Sequence, residues 1–408
     1  MLKYIFQKLK KRRHERGIVV AVACMAGTCL IGMAAFAVDI SHFYLVGSEL
    51  QNAADAASLS GAAELDGYAT GVSKAADQAL SLMNKTEFAG ATVQFTRANV
   101  RYAVNLSEFA NGGQGRSEAD AKVAATNIRF IRVKTSPQQV STVFAGMFLG
   151  TDKVALAREA VAGQTVSGMG NDIGLNRICN FVPLAVIQDD VSGAPLDVNP
   201  GCPNTTQFTA GCTYTIRGGS QNMTAPGNFQ ILAANDDRGA ADASEKLAGG
   251  CSTCYKPGDY IGTEPGVKQG PSSKALDTRF GDYNNGNGLD PNLYPPDANV
   301  MEGITYAQYK SGLPQYFTSG GPGSVPNRRV IILPIINASE FSGGRTTVRI
   351  TKFAPFFLRN KVGKGGNNDI IAEFVDRPVV MGHAYYSPAD AVAGFFGGVM
   401  ISGIALYK

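Results

Sequence analysis

Seven cysteines are the residues whose types and spacing most directly offer chemistry. Cys24 and Cys29 lie in an uncharged apolar stretch, where we expect reduced thiols. The other five are Cys179, Cys202, Cys212, Cys251 and Cys254. Because Cys202 and Cys212 bracket a short loop and Cys251-Ser-Thr-Cys254 is a CxxC pair, we predict one or two local disulfides. Five is an odd number, so at least one thiol is free or paired between chains.

The CxxC pair has two further interpretations, a thioredoxin-like redox site and a zinc site. A redox CxxC lies in an α/β unit at the start of a helix, whereas this one lies in the turn-rich run LAGGCSTCYKPG. A zinc site built from Cys202, Cys212, Cys251 and Cys254 would contain only one pair with the short ligand spacing. We therefore expect neither site, no metal and no cofactor.

Motifs for enzymatic catalysis do not occur in the sequence. It has three histidines, His14, His42 and His383, and no nucleophile elbow, phosphate loop, HExxH or dinucleotide motif. A calcium-loop pattern starting at Asp282 fails at its fifth position, Gly286, so a solvated turn is expected. The sequence predicts that the chain is not an enzyme, with a hydrolase that uses carboxylates alone left open.

A membrane-spanning segment is the first element along the chain. Residues 17–38 are 22 uncharged residues, and as a helix they span roughly 33 Å, enough for a hydrocarbon core of about 30 Å. Residues 1–16 hold seven Lys or Arg and one acid, so this segment has a net charge of +6. Since the whole chain has a net charge of +4, the remaining residues have a net charge of about −2. Since basic residues beside a first span stay in the cytoplasm, we predict a single pass of the inner membrane with the chain after Asp39 in the periplasm.

A cleaved secretory signal is the alternative to a retained anchor. Ala35-Phe36-Ala37 has the small-x-small form of a signal peptidase site. The apolar run is longer than the roughly 7–15 residues of a secretory h-region, which favours the anchor. A prepilin leader would place Glu five residues after Gly17, where the chain has Val22.

The helix is predicted to continue beyond the membrane, because one apolar face keeps helical spacing. That face consists of Phe43, Val46, Leu50, Ala53, Ala54 and Ala57. It is narrow and mostly Ala after Leu50, which suits close packing. Two interpretations stay open: the core face of the first domain, and an interaction face that packs against like helices or an assembly partner.

Four motifs follow one another along this segment: Arg16-Gly17, Val38-Asp39, Phe43-Tyr44 and the run Leu50-Gln51-Asn52-Ala53-Ala54-Asp55-Ala56-Ala57. Together with the span they resemble the N-terminal segment of TadE/TadG-like proteins of the Tad (tight adherence, or Flp) pilus-assembly systems. The resemblance is specific here and continues more weakly through residues 127–162 and later apolar pieces such as RRVIILPI. It implies an accessory protein of pilus assembly.

One departure from the family concerns a metal site. Many TadG proteins carry a von Willebrand factor A domain, whose metal site begins Asp-x-Ser-x-Ser after an apolar strand. The nearest stretch here starts at Asp190 and has Ala194 in place of the last Ser, so an oxygen ligand is lost. We expect a strand and turn there, and thus a TadG-like protein without that domain.

The expected fold class is α+β, with four parts after the basic tail. The transmembrane helix, 17–38, continues into a small α/β domain, 39–162, followed by a linker, 163–176, and a mainly β domain, 177–408. In the first domain we predict a helix at 73–83, a strand pair within 91–106, a turn at 111–115, a strand at 127–134, a helix at 140–149 and a strand at 153–162. In the second we predict strands within 181–187, 212–218, 228–234, 328–337, 346–358 and 369–377, and a helix within 272–281. The uncharged run 391–407 predicts a buried terminal strand or hairpin, with a second membrane contact as the alternative.

These observations predict a membrane-anchored accessory protein that works by binding other pilus-assembly proteins or pilins. The bilayer is the expected partner of residues 17–38, and no nucleic acid or small-molecule substrate is expected. Arginine at Ala54 and Ala57 is expected to abolish piliation without stopping membrane insertion. The alternative is a secreted or surface-exposed adhesive protein released by cleavage near Ala37.

Overall fold

The computed structural model of the chain describes residues 2–83, 87–88, 91–92, 96–142, 144, 150, 152–167, 178–196, 198–203, 207–217, 230–234, 239–266, 275–283, 289–362, 369–380 and 401–407. The α-helices are α1 (Leu2–Ala63), α2 (Ala69–Met83), α3 (Glu118–Val123), α4 (Ala240–Gly249) and α5 (Tyr306–Ser311). Short 3-10 helices are Arg97–Asn99, Leu106–Gly112, Ala125–Asn127, Thr278–Phe280, Pro314–Tyr316 and Ala338–Glu340.

The strands belong to two large sheets and two isolated pairs. In the N-terminal half they are β1 (Glu87–Phe88), β2 (Ala91–Thr92), β3 (Val100–Ala103), β4 (Phe130–Lys134), β5 (Gln138–Ser141), β6 (Lys153–Leu156) and β7 (Glu159–Ser167). The remaining strands are β8 (Val186–Gln188), β9 (Thr213–Arg217), β10 (Leu232–Ala233), β11 (Tyr260–Thr263), β12 (Val330–Asn337), β13 (Thr347–Leu358), β14 (Ile370–Phe374), β15 (Val379–Val380) and β16 (Ile401–Tyr407). The mixed content confirms the predicted α+β class.

The first helix is one continuous element of 62 residues, about 93 Å long at 1.5 Å per residue. It contains no Pro and many Ala, the best helix former, which favours an uninterrupted helix. Just past its end, Gly67 has a φ of +79°, a conformation that suits glycine. The buried side-chain amide of Gln164 donates hydrogen bonds to the carbonyls of Ala62 and Leu65, so β7 satisfies backbone acceptors where the helix stops.

A five-stranded sheet packs against α1 and α2 to form the N-terminal core. Its order is β15-β16-β7-β4-β3, antiparallel except for the parallel pair β15–β16. Leu50, Val72, Tyr102 and Ile131 are buried in this core. The C-terminal strand β16 thus completes the N-terminal sheet, although the predicted division assigned it to the second domain.

Several predicted elements of the first domain have different bounds or types. Gln138–Ser141 is a strand where the sequence predicted the start of a helix at 140–149, because Val140 is buried between exposed Gln139 and Ser141. Residues 143, 145–149 and 151 lie outside the described residues. The predicted strand 153–162 is two strands, β6 and β7. Strand β7 continues through residue 167, so residues 163–167 of the predicted linker belong to a sheet and residues 168–176 lie outside the described part.

The second large sheet is buried on both faces. Its path is β10-β11-β13-β12-β8, and β14 joins β13 to β9. Along β12, Ile331 and Leu333 enter one hydrophobic core, whereas Ile332 and Ile336 enter the core on the opposite face. A strand covered on both faces reads as a continuous apolar run, which is why this segment was recognisable from sequence.

The two parts of the chain meet at a polar and aromatic contact. The Asp66 carboxylate forms an ion pair with the Lys310 ammonium at 2.7 Å. The Asp66 side chain is only 12% exposed and the Lys310 side chain only 11%. The Arg377 guanidinium lies 5.2 Å from the Tyr68 ring centroid, and the Tyr68 and Tyr306 rings are 6.1 Å apart. The loop that follows α1 is therefore held against the C-terminal part.

Replacing Lys310 by methionine should weaken this contact. Asp66 would lose its nearly buried cationic partner, so we expect a loss of about 2 kcal/mol of unfolding free energy, between the values of surface and fully buried pairs. Urea unfolding of the full chain in detergent measures the loss. The control is Lys122→Met, which removes a more exposed pair with Glu118 and should cost at most about 0.5 kcal/mol. Equal losses for the two variants would contradict the prediction.

Candidate functional site

The membrane-side half of α1 exposes its apolar side chains. Of the described residues, those of α1 form the one helix that is long and apolar enough to cross a membrane. From Val19 to Val38 its side chains are exposed or half-buried, and Ile31 is 72% exposed. Exposed apolar area costs roughly 25 cal/mol per Å² in water, a cost that lipid removes. This half of the helix fits a single-pass membrane anchor.

The predicted interaction face lies inside the protein. Its buried members are Val46, Leu50, Ala53, Ala54 and Ala57, and Phe43 is half-buried against the same core. The small alanines let the strands and α2 approach α1 closely, and a Cβ added to Gly61 would lie 2.7 Å from the Ile131 side chain. These residues therefore form the core face of the first domain, which is the first of the two interpretations that the sequence left open.

The LQNAADAA run combines this core face with a polar link to the sheet. The side-chain amide of Gln51 donates to the carboxylate of Asp55, one turn further on, at 2.8 Å. It also donates to the backbone carbonyl of Glu159, the first residue of β7, at 3.3 Å. Asn52 and Ala56 are exposed. The motif therefore positions the helix on the sheet, a role that its spacing alone did not reveal.

Asp39 is a buried acid at the point where the span ends. It is 1% exposed, and its carboxylate accepts a hydrogen bond from the backbone amide of Phe144 at 2.8 Å. Through this bond the hairpin β5–β6 is tied to α1 directly after Val38. In the sequence, Val38-Asp39 is only one of the motifs that carry the family resemblance, and nothing in its spacing indicates a buried acid.

Four of the five cysteines beyond the span form two disulfides. Cys202 is bonded to Cys212, 10 residues away, with a Cα–Cα distance of 5.6 Å. Cys179 is bonded to Cys254, 75 residues away, with a Cα–Cα distance of 4.1 Å. The first is the local bridge that the short loop indicated. The second joins distant segments and was not predicted as a pair.

Cys251 is a free, buried thiol rather than a disulfide cysteine, which corrects that part of the prediction. The reason lies in the backbone: Ile178 and Tyr255 exchange two hydrogen bonds of 2.7 and 3.0 Å, which brings Cys179 beside Cys254. The spacing of a CxxC motif carries no information about such a distant strand, so only the fold could identify the partner of Cys254.

The environment of Cys251 does not match that of a redox-active CxxC. Burial raises the pKa of the Cys251 thiol to about 12, so the nucleophilic thiolate is scarce at neutral pH. The motif also follows the end of α4 (Ala240–Gly249) instead of beginning a helix, where the helix dipole would lower a thiol pKa. The geometry therefore does not resemble a thioredoxin-like site.

The two disulfides should contribute unequally to stability. In the chain-entropy model, a 75-residue loop is worth about 4.5 kcal/mol and a 10-residue loop about 2.7 kcal/mol. We expect the double variant Cys179→Ser/Cys254→Ser to lose more unfolding free energy than Cys202→Ser/Cys212→Ser in denaturant titrations. Non-reducing peptide mapping of each variant checks that Cys251 forms no new bridge. The opposite order would contradict the assignment of stability to loop length.

The stretch nearest to the metal motif of the von Willebrand factor A domain is a strand followed by a turn, as predicted. After β8, the Asp189 carboxylate accepts hydrogen bonds from the backbone amides of Val191 and Ser192 and from the Ser192 hydroxyl. The Ser192 hydroxyl and amide lower the pKa of Asp189. Within the described residues, no group of three His, Cys, Asp or Glu is arranged to hold a metal ion.

Two sequence predictions fall outside the described residues. The loop proposed as a solvated turn at Asp282–Asp290 includes residues 284–288, which are not described, although Asp282 itself lies 3.8 Å from the Lys361 ammonium. His383 also lies outside the described part. The interpretation of the loop and the absence of catalytic chemistry therefore stay predictions.

Helix α1 contains the part of the chain that resembles a known protein family. Residues 17–64 match the family model described as "Putative Flp pilus-assembly TadE/G-like". No curated protein and no solved structure matches the chain. The matched segment begins at Gly17 and ends one residue after α1, so it includes the exposed apolar half, Asp39 and the whole core face. Residues 17–64 are therefore similar to the TadE/G-like pilus-assembly family, which confirms the resemblance seen in the sequence.

Proposed function

We propose that the chain is a membrane-anchored accessory protein of Tad/Flp-type pilus assembly that binds other pilus-assembly proteins or pilins in the periplasm. The observation that carries the proposal is the family match over residues 17–64. The match coincides with a helix that is exposed and apolar in its first half and part of a folded core in its second. Such a helix couples a membrane anchor directly to an extramembrane domain.

Two further features support the proposed orientation. The seven Lys or Arg in residues 1–16 would stay in the cytoplasm under the positive-inside rule. Both disulfides lie beyond the span, and disulfides persist in oxidising compartments such as the periplasm. The charge of the tail and the oxidation of the body thus independently favour the same topology.

The proposed activity is binding, without catalysis. The sequence contains no recognised catalytic motif, and burial raises the pKa of Cys251, the one free cysteine beyond the span. Since the alanine face of α1 is buried, partners would bind elsewhere on the extramembrane surface.

Complementation of a gene deletion tests this function. Three versions are introduced: the native chain, a chain with 17–38 replaced by an unrelated membrane span, and a chain with 1–38 replaced by a cleavable signal. We expect the deletion strain to lack pili and the first two versions to restore them, because the anchor supplies attachment. Normal pili in the deletion strain would contradict the proposal.

A secreted adhesive protein is the second candidate. The observation in its favour is that the described contacts of the first domain begin at Asp39, so cleavage after Ala37 would leave its core intact. In the same experiment, restoration by the native and signal-bearing versions but not by the version with an unrelated span would favour this candidate over the anchored one.

A further inference from the structure

The hairpin β5–β6 lies next to the point where the uncharged part of α1 ends. In this hairpin Gln138 lies opposite Leu156, and Ser141 lies opposite Lys153. One residue beyond this pairing, the backbone amide of Thr142 donates to the carbonyl of Asp152 at 2.9 Å. Val140 packs in the same core as α1, so the hairpin is fixed relative to that helix.

Phe144 gives the position of this hairpin end relative to the bilayer. Its backbone amide donates to the Asp39 carboxylate at 2.8 Å, and Asp39 is one residue, or about 1.5 Å along the axis, past the uncharged run. The Phe144 side chain is 40% exposed. It therefore lies at the depth where α1 leaves the hydrocarbon core.

The helix surface around this point is also suited to a membrane interface. Ile40 and Tyr44 are exposed, Tyr44 to 79%. Tyrosine is enriched at the level of the lipid headgroups, where its ring is apolar and its hydroxyl stays wet. An exposed phenylalanine at the same level would likewise be covered by lipid.

We propose that Phe144, which follows strand β5, is a second membrane contact that lies on the outer leaflet beside α1. The occupant is the lipid bilayer, because the contact is continuous with the exposed apolar surface of the span and lies at its end. The hairpin holds the domain against the membrane instead of letting it extend away on the long helix. This inference rests on the proposed membrane anchorage.

Tryptophan fluorescence tests the contact directly, since the chain contains no Trp. Full-length Phe144→Trp is reconstituted in phosphatidylcholine vesicles with or without bromine on the acyl chains. Phe36→Trp, within the span, is the positive control, and Phe317→Trp, exposed in the C-terminal part, is the negative control. Ser141→Trp, one step down the hairpin and exposed, replaces the first variant if Phe144→Trp fails to fold.

The expected result is that Phe144→Trp and Phe36→Trp each lose about half of their emission in brominated vesicles, as for rings buried roughly 5–10 Å into the interface, while Phe317→Trp is unchanged. If Phe36→Trp is quenched but the hairpin variant behaves like Phe317→Trp, the hairpin contact is overturned and the anchor stands. If Phe36→Trp is not quenched, the anchor itself is overturned.

Discussion

Replacing Ala57 by arginine is expected to destabilise the N-terminal domain by about 3–5 kcal/mol, because an uncompensated charge would be placed in a packed core. Ala57 is fully buried in the same core as Leu50 and Ile131. Ala54 is also fully buried, and the same result is expected there. Either variant would abolish piliation through unfolding rather than through loss of a docking surface. Thermal unfolding in detergent, followed by circular dichroism, measures the loss.

Ala56 provides the matched control on the same turn of the helix. Its side chain is exposed, so Ala56→Arg introduces the same charge without entering the core and should change stability by less than about 0.5 kcal/mol. If Ala57→Arg unfolds at the same temperature as Ala56→Arg, the face is open in the folded protein. That outcome would restore the interpretation of α1 as a docking surface.

Replacing Arg329 by methionine should have a similarly large effect on the C-terminal part. This fully buried guanidinium donates hydrogen bonds of 2.8–3.0 Å to the carbonyls of Leu358, Asn299, Met301 and Arg359. It also lies 4.5 Å from the Phe357 ring centroid and 4.6 Å from that of Phe280. Burial lowers the pKa of Arg329 to about 10, which still leaves it charged at neutral pH. We expect a loss of about 3–5 kcal/mol, since several buried carbonyls would lose their donor.

Arg349 is the control for this substitution. It lies in β13 like Leu358, but its side chain is exposed, so Arg349→Met should cost less than about 0.5 kcal/mol. Denaturant titration of both variants gives the comparison. If Arg329→Met is as stable as Arg349→Met, the carbonyls around Arg329 are satisfied in another way, and its role in joining these loops would be rejected.

Strong local patterns allowed most of the C-terminal strands to be predicted. Strand β12 is an unbroken apolar run because both of its faces are buried. Gly, Pro and Asn residues in the adjacent sequence mark the loops at its ends. The sequence predicts a helix from residue 140, where the structure has a strand, because one buried Val between polar residues is too short a strand signal to be recognised. The placement of β16 beside β7 is a long-range pairing, to which local periodicity is blind.

Some properties of the candidate site could likewise be predicted from the sequence, and others could not. The exposed apolar half of α1 and the family resemblance follow from composition and motif order in residues 17–64. Whether the alanine face packs inside the domain or against a partner depends on the position of the sheet, which periodicity does not encode. Asp39 and Gln51 each act through a contact with a residue about 110 positions away. Cys251 stays free because its neighbour Cys254 is bonded to Cys179, 75 residues away. Local sequence patterns do not show such distant contacts.

The mature N-terminus and the membrane fraction of the native protein test the central claim most directly. Fractionation of cells followed by mass spectrometry of the intact chain gives both in one measurement. The account predicts a protein in the inner membrane that retains residues 17–38. A chain that begins at Val38 and is recovered from the medium or the outer fraction would contradict the anchor and identify the span as a cleaved signal.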